Sequence, residues 1–300
     1  MTYSLITILG PTATGKTQLA ARLANFFSGE IISADSRQVY IGMDIGTGKD
    51  LEDYYVDGHQ INYHLIDIAD PNEEFNLFNF KQLFYKSYNK IKKSGKIPFL
   101  VGGTGLYLSS VIQNYSFKLA DRSGDKIKIL NSLDDNQLVQ LLKSKKNKLH
   151  NITDFTDRGR MIEAILIADS KGTYIVDENI NSFNIGVSFP RDEVKKRITE
   201  RLKKRLNEGM IEEVETLINQ GISYEKLVFL GLEYKYIALY LKGELNYNDM
   251  FQKLNSAIHN FAKRQMTWFR KMEKEGVKIF WINGNDFDEA KKKIEDNFLS

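Results

Sequence analysis

The 300-residue chain contains no cysteine. Disulfides, thiolate metal sites and a catalytic thiol are therefore all excluded. Histidine is scarce. His59, His64, His150 and His259 are scattered, and no two have the spacing of a metal-ligand pair. No apolar stretch approaches the roughly 20 residues that span a bilayer. A strand-like run begins almost at the first residue, so no signal peptide is expected and the protein is expected in the cytoplasm. Charge of one sign is not in excess, and a net charge of +3 says little about a partner. The distribution of charge says more. Lysine and arginine crowd at 143–148, 195–205, 263–271 and 291–293. Each cluster suits a phosphate backbone, and each suits a solvated helix face equally well.

The chain is long enough for one large domain or two, and 42% hydrophobic and 27% charged residues are ordinary for a globular protein. Strand and helix signals alternate over the first hundred residues. Apolar runs at 5–9, 30–34, 63–68 and 97–101 read as strands, and the spacing at 18–27 and 75–93 reads as helices. That alternation predicts a parallel sheet with helices on both faces, where ligands bind at the carboxyl ends of strands. From 118 to 184 the sequence becomes polar and lysine-rich with helical spacing, which predicts a mostly helical insertion. A return strand is expected at 185–189, helices at 192–206, 210–219 and 247–272, and one more strand at 277–282 before a final helix. The expected division is thus a core of 1–117 with 185–300, and an insertion of 118–184.

The most specific motif is Gly10-Pro11-Thr12-Ala13-Thr14-Gly15-Lys16-Thr17, between a strand signal and a helix signal. This is the complete phosphate-loop pattern. Its backbone amides surround a polyphosphate, Lys16 adds a charge, and the Thr17 hydroxyl is placed to hold magnesium. Asp35 ends the next strand. There it suits a magnesium ligand, a general base or a helix N-cap. Gly102-Gly103-Thr104-Gly105 follows a buried strand and permits close approach of a backbone or a ligand. Arg197, Arg201 and Arg205 lie four apart on one helix face, which fits a phosphate clamp or a solvated surface. The segment 263–270 mixes cations, an amide and aromatics. It fits nucleic-acid contact or an amphipathic helix with Trp268 and Phe269 in the core.

Together these segments resemble the tRNA dimethylallyltransferase family, which prenylates N6 of an adenosine beside the anticodon. The resemblance lies in Gly10–Thr17, Ile32-Ser33-Ala34-Asp35-Ser36-Arg37-Gln38-Val39-Tyr40, Gly42-Met43-Asp44-Ile45-Gly46-Thr47-Gly48-Lys49, His64-Leu65-Ile66-Asp67-Ile68 and the run from Ile97 to Tyr107. It continues in Arg197-Ile198 with Arg201, and in Lys263-Arg264-Gln265 followed by Thr267-Trp268-Phe269-Arg270. The family implies a phosphate-loop α/β core with a helical insertion that grips a tRNA anticodon stem-loop. It further implies that Gly10, Thr12, Ala13, Thr14, Gly15, Lys16 and Thr17 hold the diphosphate of dimethylallyl diphosphate, with Mg2+ near Thr17. Arg201 is implied to pair with that diphosphate, and Asp35 to take the proton of the adenine amine. The implied tRNA contacts are Asp35, Ser36, Arg37, Gln38, Thr104, Arg158, Arg160, Val228, Gly231, Glu233, Lys263, Arg264, Gln265, Thr267, Trp268 and Arg270. A monomer and no membrane partner are expected.

Two departures are visible. Asp157 stands where the family usually has the first of two arginines, leaving Arg158 to substitute for it beside Arg160, and the family's Gly-Tyr pair is Gly231-Leu232. The rival readings are an enzyme that prenylates free adenine nucleotides, a small-molecule kinase on the same core, and a non-catalytic RNA-binding module. The insertion and the 263–270 helix argue against the first, since a mononucleotide needs no such grip.

Overall fold

The computed structural model describes residues 3–115, 124–145, 158–169 and 179–299. The chain forms two compact units. One comprises Met1–Asn114 with Ile180–Ser300, the other Tyr115–Asn179.

The first unit is built on a six-stranded sheet in the order β5-β2-β6-β1-β7-β8, with every pairing parallel. Its strands are β1 (Leu5–Leu9), β2 (Gly29–Ser33), β5 (Tyr63–His64), β6 (Ile97–Gly102), β7 (Ser182–Ser188) and β8 (Ile279–Asn283). A small antiparallel pair, β3 (Tyr55–Val56) and β4 (His59–Gln60), lies apart from it. The central strand β1 reads Leu-Ile-Thr-Ile-Leu and is buried along its whole length, because helices cover both faces of the sheet. Its one polar side chain is satisfied: Thr7 Oγ1 lies 2.7 Å from Ser182 Oγ. On one face pack α1 (Lys16–Phe26) and α12 (Phe287–Asn297). On the other pack α2 (Leu77–Lys93), α3 (Gly105–Ile112) and the end of α11 (Tyr247–Lys274). A capping box between Asn76 and Asn79 starts α2.

A third core joins α7 (Arg191–Asn207), α8 (Met210–Asn219), α9 (Tyr224–Leu230), α10 (Leu232–Leu241) and the first half of α11. In α7 the buried stripe is Ile198, Leu202 and Leu206. The arginines at 197, 201 and 205 sit one residue behind that stripe, so packing the apolar stripe fixes where the cationic one points. The buried stripe of α11 runs from Met250 to Met272 with a single polar member, Gln265.

The second unit holds α4 (Gly124–Ser132), α5 (Asp135–Lys145) and α6 (Arg158–Asp169) around a core that includes Leu130, Leu138, Leu142, Met161 and Ile165. Residues 116–123, 146–157 and 170–178 of the expected insertion, Lys146–Lys148 and Asp157 among them, lie outside the described residues.

Several boundaries differ from those read in the sequence, and three have a plain physical cause. The insertion ends before Ile180, not at 184, because β7 begins at Ser182 and pairs with β1 from Leu5 onward. Ile180 is itself buried in the sheet core. The strand expected at 63–68 stops at His64, since Leu65 and Asp67 take φ values of +67° and +53°. There the chain leaves the sheet to bond with 38–39: Asp67 N–H donates to Gln38 and Ile68 N–H to Val39. Lys49, buried and bonded to the Tyr40 carbonyl and to Asp44, closes this bend by an ion pair with Asp67. The first helix starts at Lys16, two residues early, because Gly15 is its N-cap.

Candidate active site

The register of the central strands brings three loops level. Leu9 pairs with Gly102, and Ser33 with Val101, so β1, β2 and β6 end side by side. The phosphate loop, Asp35 and Thr104 follow directly from those ends.

The loop is held from within and from without. Thr14 is buried and its hydroxyl donates to the Pro11 carbonyl at 2.9 Å. Ala13 has φ +62°, in the left-handed region that side chains rarely adopt. Arg197 Nε holds that turn by donating to the Ala13 carbonyl at 2.8 Å. Gln265 reaches from α11, accepting from Thr12 N–H and donating to the Gly103 carbonyl, both at 2.9 Å. It is 7% exposed. The 102–105 turn makes room for this helix: a Cβ at Gly103 would lie 2.4 Å from the Gln265 amide, and one at Gly105 2.4 Å from the Trp268 ring. Trp268 is anchored there, its indole N–H donating to Ser109 Oγ at 2.7 Å.

Lys16 lies at the start of α1, its ammonium 3.4 Å from the Pro11 carbonyl. Burial, helped by repulsion from Arg201 and Arg205 and opposed by Asp35, lowers its pKa to about 8. Asp35 accepts from Arg37 N–H at 2.9 Å, which fixes the carboxylate against its own turn. Thr104 Oγ1 accepts from Ser36 N–H at 3.1 Å, and Gln38 donates to the Gly48 carbonyl at 2.9 Å.

The arginine stripe of α7 forms the opposite wall. Arg201 lies 3.4 Å from Thr12 Oγ1 and 2.9 Å from Asp50 Oδ2. Arg205 is 3.5 Å from the same Asp50 oxygen and buried. The segment facing these arginines is gripped from α8. Glu213 accepts from the N–H groups of Asp44, Ile45 and Gly46 at 2.9, 2.6 and 3.0 Å, and from the Tyr234 hydroxyl at 2.7 Å. Glu233 stands nearby, its carboxyl pushed up by burial against the pull of Arg205 and Arg201.

Most of these groups line one cavity of about 1330 Å³; Glu213 and Thr14 support its wall from behind. It brings together Thr12, Ala13, Gly15, Lys16 and Thr17 with Asp35, Ser36, Arg37, Gln38 and Thr104. Of the expected residues Arg201, Val228, Gly231, Glu233, Arg264, Gln265 and Trp268 also line it. Gly10 and Thr14 shape the loop from outside the cavity wall. Lys263, Thr267 and Arg270 are exposed on α11 away from it. Arg158 belongs to the helical unit, where it bonds Asp135 and the Asn131 and Leu133 carbonyls at 2.6–2.9 Å. Arg160 lies on α6, and its side chain is outside the described residues. Sequence reasoning passed over Asp50, Glu213 and Tyr234. Asp50 directly follows the Gly46-Thr47-Gly48-Lys49 run, which was its only signal, and Glu213 carries none.

A glycine-rich anion loop at the end of a central parallel strand, capped by an α-helix and faced by arginines, defines the phosphate-loop class of α/β proteins. Comparison with known proteins narrows this. The model of the IPP transferase family matches residues 38–272, and that of the isopentenyl transferases residues 3–64. The chain is 51% identical over 298 residues to tRNA dimethylallyltransferase 1 of Geotalea uraniireducens, covering 98% of this chain and 97% of that protein. It superimposes on the tRNA isopentenylpyrophosphate transferase of Bacillus halodurans with a TM-score of 0.68 at 32% identity, covering 98% and 94% of the two chains. The corresponding enzyme of Staphylococcus epidermidis gives 0.70 at 31% identity, covering 99% of each. The chain belongs to the IPP transferase family.

Proposed function

We propose that the protein transfers a dimethylallyl group from dimethylallyl diphosphate to a tRNA. The acceptor is N6 of the adenosine 3′ to the anticodon, position 37, in tRNAs reading codons that begin with U. Diphosphate is released. The observation that carries this reading is the shared cavity: the Lys16–Arg201 anion cradle and the Asp35 carboxylate open onto the same space.

An exocyclic adenine amine is a weak nucleophile, because its lone pair is delocalised into the ring. The transfer needs help at both ends. At the leaving group, Lys16, Arg201 and the loop amides stabilise the charge that builds on diphosphate as the allylic C–O bond breaks. At the nucleophile, Asp35 takes the N6 proton as the N–C bond forms. The hydrogen bond from Arg37 N–H keeps that carboxylate oriented. To reach it the adenine leaves its stack, which costs a few kcal/mol. The cations of the cavity wall and of the exposed α11 face offset that cost by contacting RNA phosphates, and the helical unit 115–179 contributes further grip on the anticodon stem-loop.

Magnesium fits the site. Among the described residues no cluster of three acidic or histidine side chains stands ready to cage a metal. The cavity offers instead the Thr17 hydroxyl and the Asp35 carboxylate. Thr17 would be the protein ligand of such an ion, with Asp35 in the same cavity. When bound it neutralises charge on the diphosphate.

The test is direct. Labelled dimethylallyl diphosphate is incubated with unmodified tRNA reading a U-initial codon, and the RNA is digested to nucleosides. Label is expected on N6 of the adenosine beside the anticodon. Label on free AMP or ATP but not on tRNA would replace this reading with the mononucleotide prenyltransferase.

A further inference from the structure

We propose that Asp50 is a resident stand-in for the diphosphate: its carboxylate holds Arg201 and Arg205 in the free protein and releases them when a diphosphate enters the loop. The inference rests on the diphosphate reading above and deepens it.

The two arginines are held unequally. Asp50 Oδ2 makes a 2.9 Å hydrogen bond to Arg201. Its 3.5 Å contact with Arg205 is an ion pair only, and that terminal nitrogen has no hydrogen-bond partner although the residue is 8% exposed. A buried guanidinium nitrogen without a partner is costly. An anion larger than one carboxylate would complete it. The space for both guanidiniums is built into the backbone. Gly48 has φ +68°, and a Cβ there would lie 1.6 Å from Arg205 Nη2 and 2.3 Å from Arg201 Nη2. Only glycine lets the pair pass beneath that loop towards the phosphate loop, where Arg201 already meets Thr12.

Asp50 itself is attached lightly. Its side chain is 53% exposed. It precedes the short 3-10 turn Leu51–Tyr54, and there its backbone carbonyl, not its carboxylate, accepts from Asp53 N–H. The carboxylate is therefore free to turn outward without undoing the turn. Burial disfavours its charge, yet the two guanidiniums outweigh that and hold the carboxyl below its usual range. In the free protein it partly neutralises Arg201 and Arg205, which also repel the Lys16 ammonium. A bound diphosphate performs the same neutralisation with more charge and more acceptor oxygens, so the carboxylate becomes a competitor.

Asp50→Asn keeps the shape and removes the charge. Binding of inorganic pyrophosphate with magnesium is measured by calorimetry for the variant and the unaltered protein. The variant is expected to bind about two- to fivefold more tightly, the scale of a partly exposed ion pair. KM for dimethylallyl diphosphate should fall by a similar factor, with affinity for an anticodon stem-loop RNA unchanged. Asp50→Glu, which restores the charge, should return pyrophosphate affinity towards that of the unaltered protein. Equal or weaker binding by Asp50→Asn overturns the proposal, because a carboxylate that only positions the arginines weakens the site when lost. If the unaltered protein transfers the prenyl group and binds pyrophosphate while the variant gains nothing, the stand-in role alone falls. If neither protein binds pyrophosphate, the diphosphate reading of the loop falls with it.

Discussion

At the scale of single residues, the site gathers cations and carboxylates around one cavity. Asp35 is the one expected catalytic carboxylate, and the role proposed for it is proton transfer. Asp35→Asn is expected to lower turnover by about 10²–10⁴-fold while leaving tRNA affinity within twofold. A variant of normal turnover would remove it as the base. Lys16 gives a pH signature. Burial holds its ammonium at about 8 in the free protein, and a bound diphosphate raises that value. Binding therefore takes up a proton between the two values. Pyrophosphate affinity should be full below about pH 8 and fall as pH rises above it. Pyrophosphate itself titrates in part of this range, so the comparison is with Lys16→Arg, whose guanidinium stays charged. The difference in slope between the two proteins belongs to Lys16, and identical slopes would deny the shift.

At the scale of elements, the cavity is made by helices gripping loops. Gln265 of α11 bridges the phosphate loop and the end of β6. Glu213 of α8 gathers three consecutive amides of the 44–46 segment together with the Tyr234 hydroxyl. Nothing in the covalent chain forces that segment to face the arginines; the carboxylate does. Glu213→Ala leaves these donors without their acceptor and is expected to cost about 2–4 kcal/mol of stability, read from urea unfolding. It should also raise KM for dimethylallyl diphosphate, because Gly48 and Asp50 follow from the segment it holds. A change in stability with no change in KM would limit Glu213 to a folding role.

At the scale of the molecule, the helical unit is inserted between residues that already meet. Asn114 Nδ2 donates to the Ile180 carbonyl at 3.3 Å, and Ile180 N–H donates back to Asn114 Oδ1 at 3.1 Å. The first unit therefore closes on itself without the segment between them. Replacing 116–178 by a short glycine–serine linker should leave a core that unfolds cooperatively and binds pyrophosphate within about threefold of the full chain, since a short flexible closure costs little. Transfer to tRNA should fall far more. Loss of cooperative unfolding, seen by calorimetric scanning, would mean that the first unit depends on the second.

Local pattern made much of this legible. The phosphate loop needs glycines, a lysine and a threonine at fixed spacing between a strand and a helix, so chemistry and order along the chain coincide there. The strands β1 and β6 are almost wholly apolar runs because both their faces are covered. The run at 63–68 was misleading: Leu65 and Ile66 are buried in the cores on the two faces of the sheet, but from a bend closed on Lys49 and not from a strand. Arg197, Arg201 and Arg205 announced a shared face without saying whether solvent or an anion met it. That was decided by the apolar stripe one residue ahead of them, which turns the face inward. For Trp268 and Gln265 composition left RNA contact and core packing open, and the resemblance implied tRNA contact; packing against Gly105 and Gly103 gives them the task of bracing the loop. Asp50 and Glu213 were invisible, because a carboxylate acquires its role from the distant groups that come to face it. Sequence by itself determined the strands, the anion loop and the acid beside it, since each is written in neighbouring residues. The clamp, its carboxylate and the grip on the 44–46 segment were decided only by tertiary structure, because each joins residues more than 150 positions apart.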